Sequence, residues 1–581
     1  MSKTSRLHLV VAMFALVALL AGACAGPAPT AAPEVEEQAT EVPVEEEEPA
    51  EEEEPTEEEE PAEEEPAETE EEGGGTLVVA LHDEPRILDP NTTEAWFGWF
   101  VELQVFEPLV EAKIDEQGNI EYKPSLATSW EMAEDALSWT FELKEGVTFH
   151  DGTPFNAEAV AFTINRIIDP EFNSPAAKPL LGGNVESAEA VEEYVVKINL
   201  NNAFPGFLSA LSDVVLAPVS PAAVEEWGED FGQHPVGTGP FMFEEWVTGD
   251  HITLVRNPDY DWGPEVLYDR SGPALLDEII FRVVPEATVR GAMLEQGEAH
   301  VITKPNPPDI PEYEEDPDYQ ILGGFRPGTA SLNWFNAEKS PTDELEVRRA
   351  LLHAMDWDQV NQLVYHGSRV VAHSLLTPAT PGYDPSLNFA ERYPVDQEKA
   401  RELLDEAGWV DEDGDGLREK DGQPMEMVWI CFPGSHCQEG EVLQAQLRDV
   451  GAHLEIREMG QPANVQATQR GEHNIRSIGW GGLDSAQLMH YLLHTDNIGD
   501  GWNFTRYRSE ELDSLIEKAV SELDEEQRIQ YVKEIQEIVL DQALGHPRYN
   551  YKRPYGTTSK LEGTTTWSRG HLKFKDAYLT D

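Results

Sequence analysis

The 581-residue chain carries 112 Asp and Glu against 40 Lys and Arg, a formal net charge of -72 with its 16 His counted neutral. So acidic a field repels phosphate backbones and excludes nucleic acid as a partner. The length exceeds what one core fills and asks for two or three domains, while 40% hydrophobic residues, with 14 Trp, 16 Tyr and 21 Phe, supply those cores and leave aromatics for a ligand pocket.

Lys3 and Arg6, an apolar run from Leu9 to Ala21 and the small residues after it have the order of an export signal. The run is too short for a stable anchor across a bilayer. Ala21-Gly22-Ala23-Cys24 resembles a bacterial lipobox, with Ala21 where Leu is usual. The expectation is a signal peptide over 1–23 and a lipidated Cys24 that ties the protein to the cell membrane on its outer side, in a periplasm or at a cell surface; an ordinary signal-peptidase site with an incidental cysteine is the alternative. No later segment approaches the roughly 18 apolar residues of a membrane span.

Residues 24–75 are built from Pro, Ala, Thr and Glu, with 23 Glu and no Lys or Arg between 34 and 72, punctuated by Pro43, Pro49, Pro55, Pro61 and Pro66. Like-charge repulsion and proline keep such a chain extended and disordered. Fully stretched it reaches roughly 170 Å at about 3.4 Å per residue, which describes a tether; a tail for calcium or a partner is the alternative. The chain from Gly73 onward still carries -51, read as a solvated acidic surface.

From Thr76 short strand patterns alternate with longer helical ones, the mark of a mixed α/β fold. Strands are expected at 76–81, 138–143, 193–200, 251–256 and 278–284. Asn156 caps a helix running to Ile168, which Asp169-Pro170 ends. Further helices are expected at 396–407 and 442–450, the second ended by Gly451 and followed by strand alternation at Leu454 and Ile456. Leu512, Leu515, Ile516, Val520 and Leu523 form one apolar helix face, and Ile529, Val532, Ile535 and Val539 another, with Asp524 and Gln527 as a capping box between them.

Apart from Cys24, the cysteines are Cys431 and Cys437, and an exported chain makes a disulfide the default for two thiols six positions apart. Residues 411–422 place Asp411, Asp413 and Asp415 at alternate positions before Gly416, as an EF-hand loop does. The twelfth position is Gly422, where a bidentate Glu is required, so calcium stands beside the plainer reading of a polar turn. No nucleophile elbow, zincin helix, phosphate loop or dinucleotide fingerprint is present, and chance pairs of carboxylates in so acidic a chain discriminate nothing. No enzyme and no cofactor is expected.

Three ordered blocks resemble the family 5 extracellular solute-binding proteins, the oligopeptide-, dipeptide- and nickel-binding group. The first holds LVVALHDEPRILDPNT, VFEPLVEA and PSLATSWEMAEDALSWTFELKEGVTFHDGTPFNAEAVAFTINRI. The second holds PVGTGPFMFEEWVTGDHITLVRNPDYDW at 235–262 and IIFRVVPEATVRGAMLEQGEAHV, with Ala299-His300 where the family has Ile-Asp. The third runs from SLNWFNAEKSPTDELEVRRALLHAMDWDQV through DQEKARELLDEAGW to Gly479-Trp480.

The resemblance implies a two-lobed clamshell of the type II, cluster C-like kind. Lobe I would take 76–109, 236–329 and 552–581, an extra subdomain on it 110–235, and lobe II 330–551. It also implies a monomeric capture component of an ABC importer, working with a permease and its ATPase and closing on a small solute. In peptide-binding members an Asp after the Gly-Trp phrase pairs with the ligand amine; here Asp484 follows Trp480 by four positions where those members have three. Trp480 would wall a pocket, with Gly479 and Gly481 offering backbone at close approach. Thr93, Glu94 and Trp96 after LDPN, with Asn333 and Trp334, would complete the ligand contacts.

Peptide is the expected solute and oligosaccharide, which stacks on Trp, the alternative. Nickel is disfavoured because His366, His373, His436 and His490 show no ligand spacing. A secreted glycoside hydrolase and a calcium-binding surface protein are the rivals from other classes, and neither explains the ordered blocks.

Overall fold

A computed structural model describes residues 74–580 apart from 94–95, 116–117 and 182. The expected signal peptide, Cys24, nearly all of the tether, and Glu94 therefore lie outside the described residues; so does the side chain of Trp96, the first residue of the helix Trp96–Val105.

Two mixed sheets organise the chain. The first has seven strands in the order 319–322, 555–558, 301–303, 76–81, 278–283, 251–256, 241–247. Thr76–Leu81 runs parallel to both of its neighbours. The second has six, in the order 370–371, 545–550, 331–335, 475–478, 426–431, 453–458, with 426–431 parallel to 453–458 and 475–478. A third, antiparallel sheet of four strands, 127–132, 138–143, 195–200 and 185–192, sits in the insertion.

Burial follows the same division. Leu77, Val79 and Phe281 of the first sheet and Phe100 of the helix Trp96–Val105 share one core with Phe141, Ile164 and Val196 of the insertion, so the insertion is built onto the first lobe. Leu332, Trp334, Trp429, Ile516 and Val539 belong to a second core. The chain crosses between the sheets in two segments, 323–330 and 551–554. The first is pinned where Gly328, at φ +126°, pairs with Gly481; a Cβ there would run into the Trp480 carbonyl.

Local chemistry sets the element ends. Asn156 Oδ1 accepts from Ala159 N at the start of Ala157–Ile168, and Asp169 closes it before Pro170. Asp524 accepts from Gln527 N, while its own N–H donates to Glu522, so the expected capping box is closed from the preceding residues. Two expectations need correction. The helix expected at 442–450 spans Ser435–Asp449, because its first half, SHCQEGE, carries no apolar stripe to read. Leu523 lies beyond the end of Glu510–Ser521 and is 43% exposed. Cys431, ending Glu426–Cys431, is bonded to Cys437 in the first turn of that longer helix.

Candidate functional site

Strands 76–81, 278–283 and 301–303 run in one direction and end together at one edge of the first sheet, the edge at which α/β sheets place ligands. Arg290, on the helix Ala287–Glu295, ties that edge: its guanidinium donates to the carbonyls of Val284, Pro285, Thr303 and Lys304 at 2.7–2.8 Å. Against this edge lies a cavity of about 600 Å³ whose walls include Lys304 and Ile310 from the first lobe, Arg326 and Tyr551 from the two crossings, and Arg369 from the second. Both lobes and both crossings therefore meet at one chamber.

The chamber is basic in an acidic protein. Lys304, Arg326, Arg369, Lys552 and Arg553 line it beside the structurally committed Arg290, and Glu314 is the acidic residue among the described walls. Arg326 lies 4.0 Å from the Tyr551 ring centre, a cation–π stack, and its backbone N–H donates to the Tyr551 carbonyl at 2.7 Å. Its Nε and Nη2 are closed off from solvent with no hydrogen-bond partner. Arg369 follows the helix Trp357–Tyr365, is held by paired hydrogen bonds between its backbone and the Asn361 side chain, and sits over the rings of Tyr365 and Tyr549 at 4.7 and 5.2 Å. Burial lowers Arg326 below the ordinary arginine value. Burial, helped by the neighbouring Arg326, brings Arg553 down to about 10, and burial with Arg290 and Arg553 lowers Lys304. Cations gathered in low dielectric raise each other's cost.

The residues singled out from sequence divide. Gly479 and Gly481 back the chamber wall: an added Cβ would meet the Tyr551 ring at the first and the Arg326 side chain at the second. Trp480 is half-buried, its ring edge-on to Trp502 at 4.7 Å. Its N–H donates to Thr329 Oγ1 and its carbonyl accepts from Thr329 N, so its backbone groups are already spent.

Four of the expected contacts are engaged within the fold instead. Thr93 is 2% exposed, and its hydroxyl serves the Asp89 carbonyl and Glu102, shaping the turn ahead of Trp96–Val105. Trp334 points into the second core, over Gly545, while Asn333, on the next position of the strand, is fully buried and accepts from Ser477 Oγ. Asp484 caps Ser485–Leu493 through Gln487 N and forms an ion pair with Arg528. Burial opposes that guanidinium's charge, yet Asp484 and Glu525 hold it above its ordinary value. Asp484 is thus already engaged within the second lobe.

Sequence reasoning missed Arg326, Arg369 and Arg553. The available signal was their type and place: basic residues beside glycine, proline and tyrosine, Arg326 and Arg553 at the lobe crossings and Arg369 in a second-lobe loop, in a chain poor in Lys and Arg.

Asp411, Asp413 and Asp415 do converge, joined by Glu419 rather than by a twelfth-position Glu. Their oxygens accept the loop's own N–H groups, Gly414 and Gly416 to Asp411, Asp415 to Asp413 and Leu417 to Asp415, as in a polar turn. The histidine reading is also amended. His494 stands one helical turn after His490, and the rings stack at 4.8 Å, with Glu517 3.7 Å from His494 Nε2.

Residues 121–500 match the sequence profile of bacterial extracellular solute-binding proteins, family 5 Middle. The chain is 30% identical to heme-binding protein A of Haemophilus influenzae over 462 residues, 76% of this chain and 80% of that one. It is 28% identical to di/tripeptide-binding protein 1 of Pseudomonas aeruginosa over 451 residues, 74% and 80% of the two chains. Its fold superposes on the structure of HbpA2 from Haemophilus parasuis with a TM-score of 0.75 at 26% identity, covering 87% of this chain and all of that one.

Proposed function

The chain belongs to the bacterial extracellular solute-binding proteins of family 5, which serve ABC importers, and from that premise we propose that it captures peptides by closing its two lobes over the chamber and hands them to a permease powered by an ATPase. Members of this family work outside the cytoplasm. We propose further that Cys24 carries a lipid anchor, that residues 24–75 give the binding unit reach above the membrane, and that the protein acts as a monomer without turning its solute over.

One observation carries this reading: a cavity of about 600 Å³ with walls from both lobes and both crossings, a size that suits a small organic ligand. A solute touching both sides gains contacts in the closed form that the open form lacks, and it shifts the population by that difference. No bond needs to break.

Thermal unfolding of the protein with pooled tri- to hexapeptides, beside a pool of cello-oligosaccharides, tests the proposal. A ligand that binds the native state alone raises the melting temperature. A shift with peptides, followed by one-to-one calorimetric binding without turnover, is expected. A shift with sugars alone would replace the solute, and cleavage of the ligand would replace the class.

A further inference from the structure

The basic residues of the chamber come from separate parts of the chain, and their convergence asks for an explanation. Lys304 stands at the end of a first-sheet strand, Arg326 and Arg553 on the two crossings, and Arg369 on a second-lobe loop. Among the described residues no carboxylate lies within ion-pair distance of Arg326 or Arg369, whose nearest partners are tyrosine rings. Arg326 keeps Nε and Nη2, and Arg369 its Nε, closed off from solvent without a hydrogen-bond acceptor. Elsewhere several buried cations are paired with carboxylates, Arg548 with Glu439, Lys573 with Glu111 and Arg528 with Asp484, whereas Arg290 and Arg348 are held by backbone carbonyls and Arg476 leaves Nε and Nη2 unmatched outside the chamber. A half-buried guanidinium left without an anion is unfavourable, and a protein with 112 acidic residues does not lack carboxylates to place there.

We infer that the chamber is completed by the solute's own negative charge, and that the captured solute carries two or more carboxylates, one answering Arg326 and another Arg369. This rests on the capture reading above and narrows it: among peptides the acidic ones are selected, and the free amino terminus is not the recognised group.

The arrangement also explains how an empty protein avoids closing. Shutting the lobes brings Arg369 toward Lys304, Arg326 and Arg553, and like charges in low dielectric repel. An anion between them reverses the sign of that interaction. The closed state is then favoured only when loaded.

The test is calorimetric titration of the whole protein, at low and at high salt, with four probes: a tripeptide of Glu residues, its N-acetylated form, an uncharged tripeptide and citrate. Both Glu peptides are expected to bind within a few-fold of each other and at least tenfold more tightly than the uncharged peptide, with affinity falling as salt rises. Citrate binding beside them places the selection in the carboxylates; its failure while the Glu peptides bind shows that the carboxylates must ride on a peptide frame, and both results support the inference. Arg326→Gln is expected to lose at least tenfold more affinity toward the Glu peptides than toward the uncharged peptide, and Arg369→Gln provides the same comparison from the other lobe should the first variant fail to fold. Equal binding of acidic and uncharged peptides, or a strong loss on acetylation, overturns the inference and leaves peptide capture standing. If none of the probes binds and the wider peptide pool does not either, the capture of peptides falls with it.

Discussion

Two half-buried charges in this protein receive opposite answers from sequence and from structure. Asp484 stands after the Gly-Trp phrase where the family resemblance puts an amine-binding carboxylate, yet Arg528 already neutralises it and Gln487 N already occupies it. Arg326 sits in no motif at all, yet it lines the cavity and has no carboxylate partner among the described residues. The difference teaches that a charge satisfied within the fold holds the fold, whereas a charge left open toward a cavity is available to a ligand. Family position named the first; local bookkeeping of partners finds the second.

The contrast can be sharpened by removing satisfied charges and asking whether only stability suffers. The largest effect is expected at Arg548–Glu439, where both side chains are fully buried and Tyr365 also donates to Glu439. Glu439→Gln leaves an uncompensated guanidinium and should cost about 3–5 kcal/mol in denaturant unfolding. Next is acid sensitivity. His473 is fully buried, its Nε2 donating to the Phe504 carbonyl, and burial, with Arg476, Lys339 and Arg506 nearby, lowers it from 6.5 to about 3. A depressed histidine contributes stability that is complete above pH 6.5 and is lost as pH falls toward 3, on the order of 5 kcal/mol in all. His473→Gln, which keeps a donor for the Phe504 carbonyl, should flatten that acid limb in stability measured from pH 7 to 4.

Smaller losses should follow from the remaining pairs. Opening Cys431–Cys437 by Cys437→Ser frees a loop of six intervening steps, worth about 2 kcal/mol on the chain-entropy view, readable as a lower melting temperature. Asp484→Asn keeps a good N-cap residue but strips Arg528 of its closest anion, with Glu525 still 3.6 Å away; about 1–2 kcal/mol should be lost. Solute affinity should not change. A large loss of peptide binding in that variant, with the fold intact, would break the comparison at its root.

Much of the architecture was legible. The strands at 76–81, 138–143 and 251–256 and the helix capped by Asn156 carry their own periodicity and end signals, and the ordered blocks brought the two-lobed fold. The site was less so. Thr93 and Trp334 have residue types that serve clefts and cores alike, and only three-dimensional packing separates the uses: a hydroxyl folded back onto Asp89 and Glu102, an indole laid over Gly545. Arg326 and Arg369 are 43 positions apart in sequence, and no local pattern announces that a crossing segment and a second-lobe loop share one chamber.

The central claim is that a solute draws the lobes together across that chamber. Small-angle X-ray scattering of the protein, titrated with the tightest-binding peptide from the pools, tests it directly. The account predicts a saturable decrease in the radius of gyration, following the calorimetric binding curve, with the same decrease absent in Arg326→Gln at equal peptide concentration. Saturable binding with no change in dimensions would contradict capture by lobe closure.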